Sequence, residues 1–353
     1  MNRNIDSNMV DHELPMRRLP FVTFLFFAMA FSVPQGLLSR QPDEKKAKPD
    51  LIPLPKKIPA PKDNPISEEK VWLGKLLFFD PRLSGDNKTS CATCHDPKKA
   101  WGDGLARARA GKRELARNSQ TCLNVAFLPN LFWDGRAKML EEQALIPIQS
   151  AEEMNQRLDE LISELKAVPD YRRRFYEVFE SEITANGIAK ALATFQRTLV
   201  TGPSRVDRFL AGDEDALSKS ERRGLELFRG GAGCVRCHHG PLLTDGKFHR
   251  LGVSFKDKGR GEITGKKEDW YRFRTPSLRN IAETGPYMHD GSLKTLDDVV
   301  FFYLRGAPKS GPNGLPIDIE PQSDLSFSAS SDLVEFLKAL SGPAPKVKLP
   351  KLP

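Results

Sequence analysis

Two copies of one short cysteine and histidine pattern stand out in the sequence. Residues 91–95 read CATCH and residues 234–238 read CVRCH. In C-x-x-C-H the two thiols add to the vinyl groups of a haem, and the next histidine is held where it ligates the iron. The alternatives are a zinc site, which needs more ligands than lie nearby, and a redox dithiol, which needs no histidine. The repeated pattern therefore predicts two covalently bound haem c groups.

The motifs assign a role to each of their residues. The attachment thiols are Cys91, Cys94, Cys234 and Cys237, and the iron ligands are His95 and His238. The fifth cysteine, Cys122, lies in the apolar run TCLNVAF and is expected to be a packing residue.

The N-terminus has the features of a secretory leader over residues 1–39. Arg17 and Arg18 precede the apolar run LPFVTFLFFAMAFSV, and Met16 is an alternative start. Haem addition is then expected outside the cytoplasm, so the predicted location is periplasmic or otherwise exported. Contact with a membrane is expected only if the leader stays uncleaved.

The net charge of +8 is concentrated in two Pro/Lys-rich segments, residues 40–63 and residues 343–353. The first has seven basic and four acidic residues and the second has three basic residues, which together supply six of the eight charges. The charge therefore indicates a solvated linker and tail, and no nucleic-acid partner is expected.

Helical periodicity dominates the rest of the chain, so the predicted fold is mostly α, with two c-type cytochrome domains over residues 64–205 and 206–342 and long loops. Before each motif stands a similar helical pattern, with Ser67 or Ser218 as the predicted N-cap and GKLLF or GLELF near the end. This internal repeat supports two related haem domains. Gly306 and Gly342 are predicted helix C-caps.

Several longer motifs occur in the order typical of one enzyme family. They are LFFDPRLS, CATCH, FWDGRAKMLEEQALIPI, EEM, CVRCH, RTPSLRN and TGPYMHDGS. From about residue 64 to residue 342 the chain resembles the di-haem cytochrome c peroxidase and MauG family. The resemblance implies a hydrogen-peroxide-dependent oxidoreductase whose first haem binds peroxide.

Within that resemblance, three residues match the catalytic machinery. Trp133 matches the tryptophan that passes electrons between the two haems, whereas alone it would be a buried aromatic wedge. Gln143 and Glu153 match the pair beside the first haem, where an amide and a carboxylate can move a proton between the peroxide oxygens. Pro147 matches a wall of the same pocket. Without the resemblance, Glu153 would be a helix N-terminal charge.

The iron ligands separate two branches of this family. In classical bacterial members a histidine shortly after the first motif blocks the peroxide-binding iron. No histidine occurs here between His95 and His238, so this iron is expected to be open, as in the MauG-like branch. For the second iron, Tyr303 lies fourteen residues after His289, at the position of the MauG tyrosine ligand. Met288 is the alternative ligand.

Two further sites are implied by the resemblance alone. Asn118, Thr284 and Pro286 match calcium ligands, for which carbonyl and amide oxygens are suitable. Arg279 matches a residue that contacts a haem propionate, and His289 matches a residue near the haems.

The expected function is peroxide reduction with electrons from one of two kinds of partner. These are a small redox protein, such as a cytochrome c or a cupredoxin, and side chains of a protein substrate that becomes oxidised, as with MauG. An alternative from another class is a di-haem electron carrier without peroxide chemistry, in which both irons would be six-coordinate.

Overall fold

The computed structural model describes residues 50–111, 113–320 and 325–353. Over these residues the chain is mostly helical, as predicted, with only two short antiparallel strand pairs. The predicted leader, residues 1–39, and the first part of the linker, residues 40–49, lie outside the described residues. In the part of the chain that is described, no helix is long and apolar enough to cross a membrane.

The α-helices are numbered in chain order: α1 (Glu68–Phe78), α2 (Cys91–Cys94), α3 (Leu140–Gln149), α4 (Leu158–Ala167), α5 (Pro169–Phe179), α6 (Ala185–Arg197), α7 (Arg205–Leu210), α8 (Lys219–Arg229), α9 (Arg260–Thr264), α10 (Leu296–Phe301) and α11 (Phe327–Lys338). A π-helix, Phe302–Gly306, continues α10. Strands β1 (Arg109–Ala110) and β2 (Arg113–Glu114) form one pair, and β3 (Phe248–His249) and β4 (Phe273–Arg274) form the other.

The two helices that precede the motifs begin where the sequence predicts. Ser67 caps α1 by accepting a hydrogen bond from the backbone of Lys70, at 3.3 Å. Ser218 caps α8 and forms a capping box with Glu221. Both predicted N-caps are confirmed, because each serine oxygen satisfies an amide that the first helical turn leaves without a partner.

A glycine in each of these helices explains the repeated sequence. A Cβ atom on Gly74 in α1 would lie 1.9 Å from the carbonyl oxygen of Ala191 in α6. A Cβ atom on Gly224 in α8 would lie 2.0 Å from the carbonyl oxygen of Asp332 in α11. The repeat therefore encodes the same close helix packing twice, once in each half of the chain.

The predicted C-caps at Gly306 and Gly342 are wrong. Gly306 is the last residue of the π-helix, and Ala307 follows it as the cap. Helix α11 ends earlier, at Lys338, with Ala339 as its cap. Gly342 instead exchanges hydrogen bonds with the side chain of Asn280, whose amide nitrogen lies 2.7 Å from the Gly342 carbonyl oxygen. A tertiary contact thus explains a glycine that local sequence places at a helix end.

The apolar side chains form two main clusters. The N-terminal cluster contains buried residues between Leu73 and Leu199, and α1 and α6 contribute four each, the most of any helix. The C-terminal cluster contains Leu51 and buried residues between Val206 and Leu340, with four from α11 and two each from α8 and α10.

The first described residues of the linker pack on the C-terminal cluster. Leu51 is only 5% exposed and packs in that cluster. Beside it, the backbone carbonyl of Asp50 accepts a hydrogen bond from Gly240 at 2.7 Å, and the Asp50 carboxylate pairs with Arg229 at 2.8 Å. The lysines of the described linker are exposed, as expected, but its apolar start is anchored beside the second motif.

The C-terminal tail packs on the N-terminal cluster. Ala344, Val347 and Leu352 pack against the N-terminal cluster. The last residue, Pro353, accepts a hydrogen bond from Arg82 at 2.9 Å. Each end of the described chain therefore packs on the cluster built by the opposite half, which differs from the solvated tail predicted from charge.

Candidate functional site

Both cysteine and histidine motifs line one cavity of about 1150 Å³. Helix α2 presents Cys91 and Cys94 to it, and a 3₁₀ turn, Cys234–Arg236, begins the second motif. The cavity wall is rich in apolar side chains, including Phe78, Leu123, Val125, Leu192, Phe228, Leu278, Leu296, Val300 and Leu304.

The two motif histidines have the same hydrogen-bond arrangement. The Nδ1 atom of His95 lies 3.2 Å from the carbonyl oxygen of Trp101, and that of His238 lies 2.9 Å from the carbonyl oxygen of Leu243. A carbonyl only accepts, so Nδ1 carries the proton in each ring and Nε2 keeps its lone pair. Burial lowers the pKa of His95 and lowers that of His238 to about 4. Both rings are therefore neutral, which is the form that ligates a metal.

Each accepting carbonyl belongs to a residue with left-handed backbone. The φ angle is +61° at Trp101 and +55° at Leu243. The Trp101 side chain is fully buried and makes ring contacts with Phe78 and Phe195, at 5.8 and 5.9 Å between ring centroids. Packing thus holds a strained turn that aims the carbonyl at the histidine.

These features fit covalent haem. The paired thiols, the neutral imidazoles with a free Nε2 and the apolar cavity wall are what two thioether bonds, an axial ligand and a porphyrin require.

Gln143 and Pro147 line the cavity from α3, and Glu153 lines it from the turn that follows. Burial raises the pKa of Glu153, and the nearby Arg136 partly offsets that rise. Besides burial, the Glu153 charge raises the pKa of the Cys91 and Cys94 thiols, which places the carboxylate near the first motif. The three residues predicted for the peroxide pocket thus face the same cavity as that motif.

The segment after the first motif forms the β1–β2 hairpin over this side of the cavity. It contributes Ala108, Ala110, Leu115 and Ala116 to the wall, and none of these side chains can ligate iron. Arg113 donates a hydrogen bond to the carbonyl of Ala151 at 2.7 Å, which ties the hairpin to the loop before Glu153.

Trp133 lies on the wall of the cavity that both motifs share. Its indole Nε1 donates a hydrogen bond to the carbonyl oxygen of Asn118 at 3.0 Å. Its own carbonyl accepts a hydrogen bond from the backbone of Arg274 at 2.8 Å. The indole is therefore fixed through both its ring and its backbone.

Tyr303 lines the cavity from the π-helix, a rare element that is frequent at functional sites. Burial, and then the charges of Cys234 and Cys237, raise the pKa of its phenol, which places it near the second motif. Met288 also lines the cavity, at a residue with φ of +72°. Both predicted candidates for the second sixth ligand are thus present.

The residues predicted to bind calcium line the same cavity. Asn118, Thr284 and Pro286 all line the cavity. The backbone N–H of Asn118 donates to the carbonyl of His289 at 2.8 Å, which joins the two segments. The Asn118 amide nitrogen donates to Leu105 at 2.8 Å, so its Oδ1 atom faces away as an acceptor.

Arg279 lies elsewhere than the resemblance implies. It is 5% exposed, does not line the cavity, and forms a bidentate ion pair with Asp207 at 2.7 and 3.0 Å. Its remaining donors reach the carbonyls of Pro241 and Ile52. The guanidinium therefore joins α7, the loop after the second motif and the linker, in place of the expected propionate contact.

Sequence reasoning missed an arginine and aspartate network behind Trp133. Arg117 pairs with Asp134 at 2.5 Å and with Asp257 at 2.6 Å, and Arg136 pairs with Asp134 at 2.7 Å. These residues join the FWDGR motif to a loop of the C-terminal half. Asp134 and Arg136 belong to the FWDGR motif, but no local sequence pattern indicates Asp257 as the partner of Arg117.

A helical chain that presents two C-x-x-C-H turns to one apolar cavity has the architecture of a di-haem c-type cytochrome. Comparison with known proteins narrows this class. The family profile described as "Di-haem cytochrome c peroxidase" matches residues 68–215.

Related sequences extend the match over most of the chain. The methylamine utilization protein MauG of Methylorubrum extorquens is 44% identical over 85% of this chain and 86% of its own length. The cytochrome c551 peroxidase of Nitrosomonas europaea is 38% identical over 82% of this chain and 85% of its own length. Among solved structures, a MauG-like protein associated with microbial copper homeostasis has a TM-score of 0.75 and 35% identity, with 82% of this chain and 95% of that chain covered.

The chain belongs to the di-haem cytochrome c peroxidase and MauG family. It is therefore a peroxide-dependent oxidoreductase of that family, for which two c-type haems are implied.

Proposed function

We propose that this protein is a MauG-like enzyme that reduces hydrogen peroxide at its first haem site without prior reductive activation. Cys91 and Cys94 hold the first haem and Cys234 and Cys237 hold the second, with His95 and His238 as iron ligands. When bound, each haem supplies an iron that exchanges electrons with peroxide or with a partner.

The observation that carries this proposal is the wall beside the first motif. Where the classical enzymes place a blocking histidine, the β1–β2 hairpin presents Ala108, Ala110, Leu115 and Ala116. None of these side chains can ligate an iron. The Arg113 contact to Ala151 holds the hairpin in this position.

Glu153 is the proposed proton carrier. The carboxylate takes a proton from bound peroxide and returns it to the oxygen that leaves as water, while the Gln143 amide orients the peroxide. Burial raises the pKa of Glu153, which makes the ionised carboxylate a stronger base for the peroxide proton. Pro147, within α3, shapes the wall between them.

Trp133 is the proposed electron relay between the two haems. Its place on the shared wall suits that role, and the hydrogen bond to the Asn118 carbonyl stabilises positive charge on an oxidised indole. Trp133 would then carry oxidising equivalents from the first haem site to the second.

Tyr303 is the proposed sixth ligand of the second haem. Burial raises the pKa of the Tyr303 phenol, so it would release its proton to solvent only where a strong positive charge, such as a ferric iron, stabilised the phenolate. A phenolate then favours the oxidised states of this haem over the reduced state. Met288 is the alternative ligand, and its thioether would favour reduction.

A calcium ion held by Asn118, Thr284 and Pro286 is proposed beside Trp133. The Oδ1 atom of Asn118, an acceptor opposite the amide nitrogen that bonds Leu105, and the cavity position of the other two residues support an oxygen site for a hard cation.

The electrons come from a small redox protein, such as a cytochrome c or a cupredoxin, or from side chains of a protein substrate. The open first site and Tyr303 favour oxidation of a protein substrate. Covalent haem addition and the leader predicted over residues 1–39 support a location in the periplasm or otherwise outside the cytoplasm.

Low-temperature EPR of the ferric protein, before and after peroxide addition, tests the proposal. We expect one high-spin and one low-spin signal, both lost when peroxide is added without a reductant. Two low-spin signals that respond only after partial reduction would return the protein to the classical peroxidases. Two low-spin signals that do not respond to peroxide even after partial reduction would identify an electron carrier.

A further inference from the structure

Arg274 is a buried cation on the cavity wall. It is 2% exposed and lines the cavity that both motifs share. Its Nε donates to the carbonyl of Phe132 at 3.2 Å and its Nη1 to the carbonyl of Thr275 at 3.1 Å. Among the described residues, no carboxylate forms an ion pair with it.

Other buried arginines show how unusual this is. Arg279 has the Asp207 carboxylate in bidentate contact. Arg250, 1% exposed, lies off the cavity, where its guanidinium donates to the carbonyls of Trp270, Pro316 and Glu268, and Asp318 accepts from its backbone. Within the described residues, the hydrogen bonds of the Arg274 guanidinium come from Nε and Nη1 and not from Nη2, while the residue lines the cavity. A buried cation is costly unless an anion compensates it, so its partner is expected in the cavity.

The position of Arg274 indicates which anion this is. Its neighbours Thr275 and Ser277 are hydrogen-bonded to the loop that orients His238, through Thr244 and Leu242. A haem in this cavity carries two carboxylates, and the guanidinium fork matches a carboxylate. We propose that Arg274 is a positioning residue that binds a propionate of a haem in this cavity, the role that the family resemblance implies for Arg279.

This inference rests on the two haems of the proposed function, and it has an electrochemical consequence. A fixed cation beside a haem carboxylate stabilises the reduced, more negative state, so it raises the midpoint potential. The same charge lies beside Trp133, because the Arg274 backbone and side chain bond the carbonyls of Trp133 and Phe132. A propionate that neutralises it keeps Trp133 oxidisable.

The test is spectroelectrochemical titration of both haems in the full-length holoprotein. Arg274→Gln is expected to lower the midpoint potential of one haem. Arg274→Lys keeps the positive charge, so its midpoint potential is expected to stay close to that of wild type. Arg250→Gln is the matched control, since it removes an equally buried arginine off the cavity, and it is expected to leave both potentials unchanged. Unchanged potentials in Arg274→Gln, or an equal fall in Arg250→Gln, overturn the inference.

A haem count by pyridine haemochrome separates this inference from the proposed function. Wild-type protein without two haems contradicts the proposed function, whereas two haems with unshifted potentials contradict only the role of Arg274. Should Arg274→Gln fail to mature, the resonance Raman propionate-bending bands of Arg274→Lys and wild type are compared. A changed band supports the contact, and an identical band overturns it.

Discussion

The indole Nε1 of Trp133 donates a hydrogen bond to the backbone carbonyl of Asn118, at 3.0 Å. This single contact joins the proposed electron relay to a proposed calcium ligand. Anything that moves the Asn118 backbone therefore changes the polarity around the relay.

Chelation of calcium is expected to slow communication between the haems. Loss of the ion would loosen Asn118 and weaken a hydrogen bond of about 1 kcal/mol, which corresponds to a roughly fivefold slower transfer. The measurement is stopped-flow absorbance of the second haem after peroxide addition, with and without chelator. Recovery on adding Ca²⁺ but not Mg²⁺ is the control, and an unchanged rate in chelated, calcium-free protein contradicts the link.

Glu153→Gln is expected to slow the reaction with peroxide by about 100- to 10,000-fold, the usual range for loss of an acid-base group. Because burial raises the pKa of Glu153, the wild-type rate is expected to fall as the pH falls through that raised value, where the carboxylate becomes protonated. The variant's rate is expected to be flat there. Glu152→Gln, on an exposed neighbour, is the control. Equal pH profiles in wild type and Glu153→Gln would falsify the assignment.

The same substitution is expected to stabilise the fold at neutral pH. A carboxyl whose pKa is raised in the folded state binds protons more tightly there, so the free energy of unfolding falls as the pH rises through this range. The neutral amide of the variant carries no such penalty. Denaturant unfolding at several pH values checks this. The variant is expected to be more stable than wild type above the raised pKa of Glu153 and equally stable below the pKa of that carboxyl in the unfolded chain. A variant that is less stable at neutral pH contradicts it.

Tyr303→Phe is expected to change the EPR signal and visible spectrum of the second haem and leave those of the first unaltered. The phenyl ring keeps the packing of the π-helix but removes the oxygen that ligates. Met288→Leu is the companion variant, since it removes the alternative ligand. If Met288→Leu alters the second haem and Tyr303→Phe does not, the thioether is the ligand.

Leu51→Ala is expected to lower the free energy of unfolding by about 2 to 3 kcal/mol, because it empties a buried site in the C-terminal cluster. Ile52→Ala is the matched control, since Ile52 is 54% exposed, and its cost is expected to stay within about 0.5 kcal/mol. Chemical denaturation of the two variants measures this. Equal effects would mean that the linker does not contribute to that core in solution.

Much of the site could be predicted from sequence because it depends on short spacings. The C-x-x-C-H pattern places two thiols and an imidazole on one turn, and Ser67 and Ser218 start the helices that lead to those turns. These are local relations among residues a few positions apart, which chain stereochemistry fixes. The family motifs then supplied Trp133, Gln143, Glu153 and Tyr303, all of which face the cavity.

Only the tertiary structure determined which contacts the two arginines of one motif make. Arg274 and Arg279 both belong to RTPSLRN, yet one faces the cavity and the other pairs with Asp207. The packing of the chain ends could not be predicted from local sequence either, since Leu51 packs in a cluster built by residues more than 150 positions later. Contacts of this kind depend on which distant surfaces meet, and burial then determines whether a charge finds its partner in the protein or in the cavity.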